Sequence, residues 1–600
     1  MAEYTNRIRV MAGVKSGLII LALYFQQIIS FSNVFSYIFM IFLAGVMIKN
    51  ANPSNRWINI TSIILSVCCT AGNLTAWDNF RNYLAVWYGQ DMVWLFRLAS
   101  FAYVTVGVSG WYFLWQCSLW QIMHVLRKIK VDKLSDAKGT QWYVFLPAVG
   151  LSGVLCYLPY FLCYFPGIVT ADSIWQLRQA TDQVPRTNHH PWLHTLMIKA
   201  AYQMGGGNNG VAIYSVCSML MMAFTFACVL FILYQNGIRI RYLAGLYLFF
   251  YLTPFNGMYS ISMWKDVPFG LCMLVFTVFV WSKKRLAKWL VWDSVIFCLL
   301  GFLICTMRSN GKFIFILCIP FIILYLDKIR KQCTLMTLFT LVFVGLFNGI
   351  VLPLMHVENV DFVEALSIPV QQIAYVIVQE GDISENDLEL LNRIVNVDDI
   401  PDQYCTYLSD PVKNLIRKGN QEYLIQHKMD YFVAWLKIGI KNPVYYIRAW
   451  ISQTEGYWYH KLDYYWKYHQ GIERVEELGI SRTCLVPYSV KQFLEWWCSY
   501  FDRRIYTQFW SLGMTTWMVL ILWAYAKIHH KCSFPYFLPL FNIVSLLIAT
   551  PVSQEFRYVY GVFLLMPVLG VMTLCRREDT MEEENKLYIM SKVIKSGEEL

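Results

Sequence analysis

Residues 165–196 read FPGIVTADSIWQLRQATDQVPRTNHHPWLHTL, placing an acid, amides and imidazoles close together in the chain. Pro166 and Gly167 end one apolar segment, and Asp172-Ser173-Ile174-Trp175-Gln176 can open a new helix soon afterwards. On that helix Asp172 and Gln176 lie one turn apart and face the same way. Asn188, His189 and His190 come just before Pro191 and the largely apolar 192–198 stretch. A carboxylate, carboxamides and imidazoles at one surface can activate a hydroxyl, or hold a phosphate or a metal. The plain structural alternatives are that Asp172 caps its helix and that Asn188 caps the next. Adjacent histidines point in different directions on a helix, which weakens the metal signal.

Three further polar clusters interrupt apolar sequence: Lys265-Asp266 after Trp264, Arg308 with Asn310 and Lys312, and Glu555 with Arg557 and Tyr558. Lys265–Asp266 and Glu555–Arg557 can be ordinary interfacial ion pairs, which contribute little energy. Four such clusters at one depth read instead as the rim of a site that handles an anion.

The elements that carry these residues follow from composition. Of 600 residues, 57% are apolar and 15% charged, against about 25% charged in ordinary soluble chains. The deficit concentrates in runs such as 290–306 and 313–326, which must be helical if they cross lipid, because each backbone N–H and C=O then needs an internal partner. The expected fold is mainly α: a polytopic transmembrane helical bundle of about 13–14 spans. The runs lie near 17–30, 32–48, 58–76, 93–123, 142–165, 211–234, 242–258, 266–282, 290–306, 312–327, 333–354, 507–527, 534–550 and 556–574. The seventeen cysteines fall mostly inside apolar runs, and no C-x-x-C occurs, so they read as small hydrophobes.

The net charge of +11 follows from cationic loops. Arg127, Lys128, Lys130, Lys133 and Lys138 share one loop; Arg239 and Arg241, Lys283 to Lys288, Lys328 to Lys331, and Lys527 with Lys531 occupy four more. With these spans, all five fall on one side, which the positive-inside rule makes cytoplasmic, together with both termini. Nucleic acid is not an expected partner. The opposite side holds the loop 166–210 and the block 355–506, expected to be one extracytoplasmic, mostly helical domain. Its aromatics, among them Trp435, Trp450, Trp458, Trp466, Trp496 and Trp497, suit either the headgroup layer or stacking against sugar rings. The expected organisation is a 1–140 transmembrane module, a 141–354 core, the 355–506 domain, helices over 507–575 and a cytoplasmic tail 576–600.

The stretches PGIVTADSIWQ, NHHPWLHTL, SMWKDVPFG, ALSIPVQQIA (365–374) and EFRYVYG resemble a bacterial family of uncharacterised polytopic membrane proteins. That family in turn has the look of GT-C superfamily glycosyltransferases, a group that includes protein mannosyltransferases and aminoarabinose transferases. The resemblance implies a polyprenyl-phosphate-linked sugar as donor and an extracytoplasmic acceptor at the membrane lipids. It implies Asp172 as the catalytic base, and Arg308, Lys312 or Arg557 as the cation for the leaving phosphate. A divalent cation, Mg or Mn, is a possible companion. Where the relatives show an Asp-Glu pair, this chain has Asp172-Ser173. The competing expectations are a multi-pass transporter or lipid flippase, and a non-enzymatic envelope binding or assembly protein. Transporters place their ionisable groups near mid-span, whereas here the clusters lie at span ends.

Overall fold

The computed structural model describes residues 2–28, 55–73, 76–82, 93–129, 141–284, 288–460, 471–501, 511–529, 531 and 533–575, and a few positions between 38 and 46. Most of the run expected over 32–48 and the tail 576–600 lie outside the described residues, as do Lys130, Lys133, Lys138, Arg285 and Trp466.

Regular structure is almost wholly helical. The N-terminal region supplies α1 (Ala2–Phe25), α2 (Arg56–Ala71) and α3 (Val93–Lys128). There follow α4 (Trp142–Cys163), the short α5 (Ala171–Ala180) and α6 (Trp192–Gly205), and the long α7 (Gly207–Gln235). Next come α8 (Ile240–Leu252), α9 (Pro254–Ser260), α10 (Asp266–Ser282), α11 (Val291–Met307), α12 (Gly311–Tyr325) and α13 (Arg330–Leu346).

Among the described residues five helices are long and apolar enough to cross a membrane: Trp94–Lys128, Trp142–Cys163, Gly207–Gln235, Asp327–Leu354 and Phe556–Leu574. Eight other apolar helices run 10–17 residues. The 14 runs expected from the sequence thus yield fewer full-length helices, and the difference is one of length. A helix rises about 1.5 Å per residue, so 17 residues reach about 25 Å, short of a hydrocarbon core of about 30 Å. Several of these helices start or stop at a polar or proline-bearing turn: α8 ends just before Thr253-Pro254, α10 begins at Asp266 and α11 ends at Arg308.

The block 355–506 is mostly helical, but it divides by packing. In its first part α14 (Ser367–Val378), α15 (Glu385–Ile394), α16 (Asp410–Lys418), α17 (Lys428–Lys441) and α18 (Pro443–Thr454) form a layer. Its core is built on residues such as Val370, Ile373, Leu391, Ile416 and Ile438. In the second part an antiparallel hairpin pairs β1 (Arg474–Val475) with β2 (Ile480–Ser481). It packs Val475, Leu478 and Ile480 against Ile174, Leu177 and Ile198 of the 166–210 loop. Then α19 (Tyr488–Tyr500) sets Leu494 and Cys498 against Tyr160 and Cys163 of α4. Of the tryptophans expected at a lipid or sugar surface, three serve the fold. Trp435 donates to Gln372 (2.9 Å), Trp450 to the Leu547 carbonyl (2.8 Å) and Trp458 to Thr454 (3.0 Å). Trp496 is exposed.

The chain closes with α20 (Leu512–Ile528), α21 (Phe537–Ala549) and α22 (Phe556–Leu574). The last of these joins α7, α8, α10, α11 and α12 in the main hydrophobic core. Helices α10 and α22 cross where Gly270 meets Gly561: a Cβ on Gly561 would lie 3.0 Å from the Gly270 Cα. Lipid tails are as apolar as leucine, so close backbone approach of this kind is what holds membrane helices together.

Three of the cationic loops, around Lys283, Asp327 and Lys531, meet at one end of this core. Lys283 pairs with Asp293 at the start of α11 (2.7 Å), Lys284 donates to the Tyr325 carbonyl at the end of α12 (2.6 Å), and Lys531 donates to the Thr573 carbonyl near the end of α22 (2.6 Å). Asp266, Arg308 and Arg557 stand at the other ends of α10, α11 and α22.

Candidate functional site

The segment that carries Asp172 is pinned before its helix begins. Gly167 has a φ of 145°, a conformation side chains rarely adopt, and a Cβ there would collide with Ser215. The chain then runs beside residues 261–263: Ile168 N–H donates to Ile261 O (2.9 Å), and Met263 N–H donates to Ile168 O (3.1 Å). Thr170 is the N-cap of α5, and its N–H donates to Ser173 Oγ (3.2 Å). Ser173 donates in turn to Met263 O (2.9 Å), and Trp264 Nε1 donates to Thr170 Oγ1 (2.9 Å). Asp172 is therefore not the cap. Ser173 is fully buried in these contacts. This stitching brings Asp172 to Lys265.

Asp172 meets Arg557 directly, Oδ2 accepting from Nη1, and Arg557 Nε lies 3.4 Å from Glu555. Its guanidinium also stands over the Trp264 ring (5.7 Å) and the Tyr558 ring (5.3 Å). Arg308 Nη1 lies 2.9 Å from Asp266 Oδ1 and donates to the Tyr558 carbonyl (3.0 Å), with its guanidinium 4.4 Å above the Tyr558 ring. The Arg308–Asp266 contact is an ion pair by distance, and among the described residues neither buried Asp266 oxygen accepts a hydrogen bond. Lys265 Nζ donates to His190 Nδ1 (2.9 Å). Three cations (Lys265, Arg308, Arg557) thus face three acids (Asp172, Asp266, Glu555). Asp172 is the accessible member of its pair: its side chain is 31% exposed, against 16% for Arg557.

Electrostatics at this mouth follow from burial and neighbours. Burial opposes the Asp172 charge, but Arg557, which also hydrogen-bonds it, and Lys265 outweigh burial and hold the carboxyl well below the usual range. Burial, reinforced by Lys265, pushes the His190 imidazole well down, so it is neutral at pH 7. Burial likewise lowers the Lys265 ammonium, against the pull of Asp172 and Asp266.

The remaining expected residues fall into two groups. His189 lies 3.8 Å from Glu364, which also binds Lys413 (3.0 Å) and Arg417; burial lowers the His189 pKa and the Glu364 charge works against it. Gln176 is not beside Asp172 in function: it is buried, donating to Thr195 (2.9 Å) and bonded to His194 Nδ1 (3.1 Å), and so it clamps α5 to α6. Asn188 accepts from Trp192 N–H (3.0 Å), the helix-start role. Asn310 donates to Ser545 (2.7 Å) and ties the turn to α21. Lys312 is exposed, its ammonium 5.0 Å over the Phe313 ring. The HPWLH spacing does not bring His190 and His194 together, because His194 is buried against Tyr214 (2.7 Å), with burial pushing its pKa down to about 3.

Sequence reasoning missed Thr170, which builds the wall with Trp264, and Glu364, Lys413 and Arg417, which form the neighbouring network. The signal was faint: Glu364 stands immediately before ALSIPVQQIA. The glutamines of that stretch are structural, Gln371 donating to Cys405 O (2.7 Å) and Gln372 to Tyr446 O (3.2 Å). Trp175, three residues beyond Asp172, is exposed. No group of three or more His, Cys, Asp or Glu side chains placed to hold a metal occurs among the described residues. Each acid of the cluster already faces a cation, so the donor set does not fit a divalent ion.

Fold and site together define a mainly helical protein, with five helices long and apolar enough to cross a membrane among its described residues and a charge-balanced polar cluster at one end of its core. The family model described as "Family of unknown function (DUF6020)" matches residues 158–587, and the chain belongs to that family. No curated protein and no solved structure matches it. The family match covers the residues of the cluster and leaves out the N-terminal helices α1 to α3.

Proposed function

We propose that the protein is a multi-pass membrane glycosyltransferase of GT-C type. In this reading the cationic loops and both termini are cytoplasmic, and the cluster faces the outer side with the 355–506 region. The donor is a sugar linked to a polyprenyl phosphate, and the acceptor is an extracytoplasmic hydroxyl on a glycan, lipid or protein. The observation that carries the proposal is the contact between a partly exposed carboxylate, Asp172, and a buried guanidinium, Arg557, at the ends of the core helices.

The chemistry follows from that contact. The donor phosphate competes for Arg557 and frees Asp172, which then accepts the proton of the acceptor hydroxyl. The acceptor oxygen attacks the anomeric carbon as the carbon–oxygen bond to the phosphate breaks, with inversion. The lipid phosphate leaves with the bonding electron pair, its charge met by Arg557, Lys265 and Arg308 in a low-dielectric setting. Neutral His190 holds Lys265 in place. The exposed Trp175 ring, one turn from Asp172, offers a face for the sugar.

One observation favours a second reading, lipid transport or flipping: the Asp266–Arg308 pair is almost fully buried between helices. The deciding experiment replaces Asp172→Asn in cells and compares surface glycans and lipid-linked sugars at matched protein level. The enzyme reading expects loss of a glycan and accumulation of the lipid-linked donor on the outer leaflet. Unchanged glycans sink it, and accumulation on the inner leaflet alone favours flipping.

A further inference from the structure

One face of the first part of the 355–506 block is at odds with a surface in water. Helix α17 packs Tyr431, Ala434 and Ile438 inward on its layer. Its outward face carries Met429, Phe432, Val433, Leu436 and Ile440, all exposed, with Met429 at 70% and Ile440 at 79%. The stripe continues past the Asn442-Pro443 break into Val444 and Ile447 on α18, also exposed. Monomeric soluble surfaces seldom keep so many large apolar side chains in one contiguous patch.

Charge and position say what covers it. Lys428, Lys437 and Lys441 are exposed along α17, and Asp430 is its only acid. Lys428 lies over the Phe362 ring (4.5 Å), and Lys441 reaches Asp382 (3.0 Å). An apolar face bordered by lysines is the pattern of a helix lying in a phospholipid headgroup layer. The stripe also abuts the ends of the core helices. Trp450 and Gln453 of α18 donate to Leu547 O and Thr550 O, each at 2.8 Å, at the end of α21. The outward residues there, Val544 and Ile548, are exposed on an apolar helix. Ile447 thus begins about one helical turn from Trp450, and the stripe extends the same apolar surface sideways.

The geometry points to α17 and the start of α18 as an interfacial anchor that lies flat in the outer phospholipid layer and fixes the 355–506 region over the Asp172 mouth. The inference rests on the chain being a membrane protein, not on glycosyl transfer, so the two fail separately.

The test uses full-length protein carrying p-benzoylphenylalanine at position 440 or, in a second preparation, 444. Each is reconstituted in nanodiscs of phosphatidylglycerol or of phosphatidylcholine, irradiated and read by mass spectrometry. Position 548 serves as the lipid-facing control, and position 389 on the polar α15 as the exposed one. The expected result is phospholipid adducts at 440 and 444 comparable to 548 and absent at 389. In phosphatidylglycerol the adduct yield at 440 should fall several-fold with Lys428→Glu and Lys437→Glu. Crosslinks to a second copy or to another segment of the chain, or no lipid adduct while 548 gives one, overturn the anchor.

Discussion

A carboxylate in contact with a guanidinium is a weak base, because the neighbouring charge stabilises the form that has already lost its proton. Asp172 sits in that state against Arg557. Its depressed pKa contributes stability that is present above the ordinary carboxyl value and is lost as pH falls through the depressed one. Arg557→Gln should therefore lower the thermal midpoint in detergent at pH 7, and the gap from the native protein should narrow on acidification below the ordinary carboxyl range. A gap that does not change with pH would mean the pair is not what stabilises this end. His190 gives a second prediction with its own pH window. Its folded pKa is depressed, so as pH falls below the ordinary imidazole value the unfolded chain takes up a proton that the folded chain refuses, and stability drops. Lys265→Met removes one cause of that depression, so the slope of thermal midpoint between pH 7.5 and 5.5 should flatten.

At the scale of elements, two of the sequence stretches behind the resemblance are the two halves of one helix crossing. SMWKDVPFG ends on Gly270 and EFRYVYG ends on Gly561, and these glycines touch. The charged residues of the same stretches, Lys265, Asp266, Glu555 and Arg557, lie four to six residues before them, at the mouth. The crossing therefore sets the depth and spacing of the cluster. Tyr560 adds to it by donating to Asn256 Oδ1 (2.9 Å) and packing on Tyr259 (4.5 Å). Gly561→Leu has nowhere to place its side chain and should destabilise by about 1–3 kcal/mol or more, the usual cost of overpacking. A detergent melt would show it as a lowered midpoint, whereas Gly245→Ala, with open space around that position, should leave the midpoint nearly unchanged.

At the scale of the whole molecule, the orientation is open to a direct measurement. Cys484 is exposed, in the chain that follows the β1–β2 hairpin and packs on the 166–210 loop. The proposed topology puts it outside, so a membrane-impermeant maleimide should label intact cells, and Cys484→Ser should remove most of that label. Labelling only after the cells are opened would reverse the orientation and move the cluster to the cytoplasmic side.

The mainly helical character of this protein, with helices apolar enough to cross a membrane, was legible in its sequence because hydropathy is local. A run of apolar residues declares a helix without reference to its neighbours. Asp172, Arg308 and Arg557 could be picked out because a charge at the edge of an apolar run is conspicuous by itself. Their partners could not be read, because Asp172 and Arg557 lie 385 residues apart in the chain. The pairing depends on a backbone tie at 168–263, on Ser173 and Trp264, and on two glycines in contact. Nor could the partners of Gln176 and Asn310 be read, Thr195 lying 19 residues from the one and Ser545 lying 235 from the other, although both bonds tie helices together. Sequence determined which residues are costly to place in lipid; only the tertiary structure decided which of them offset that cost for one another, because an ion pair is a property of two positions in space.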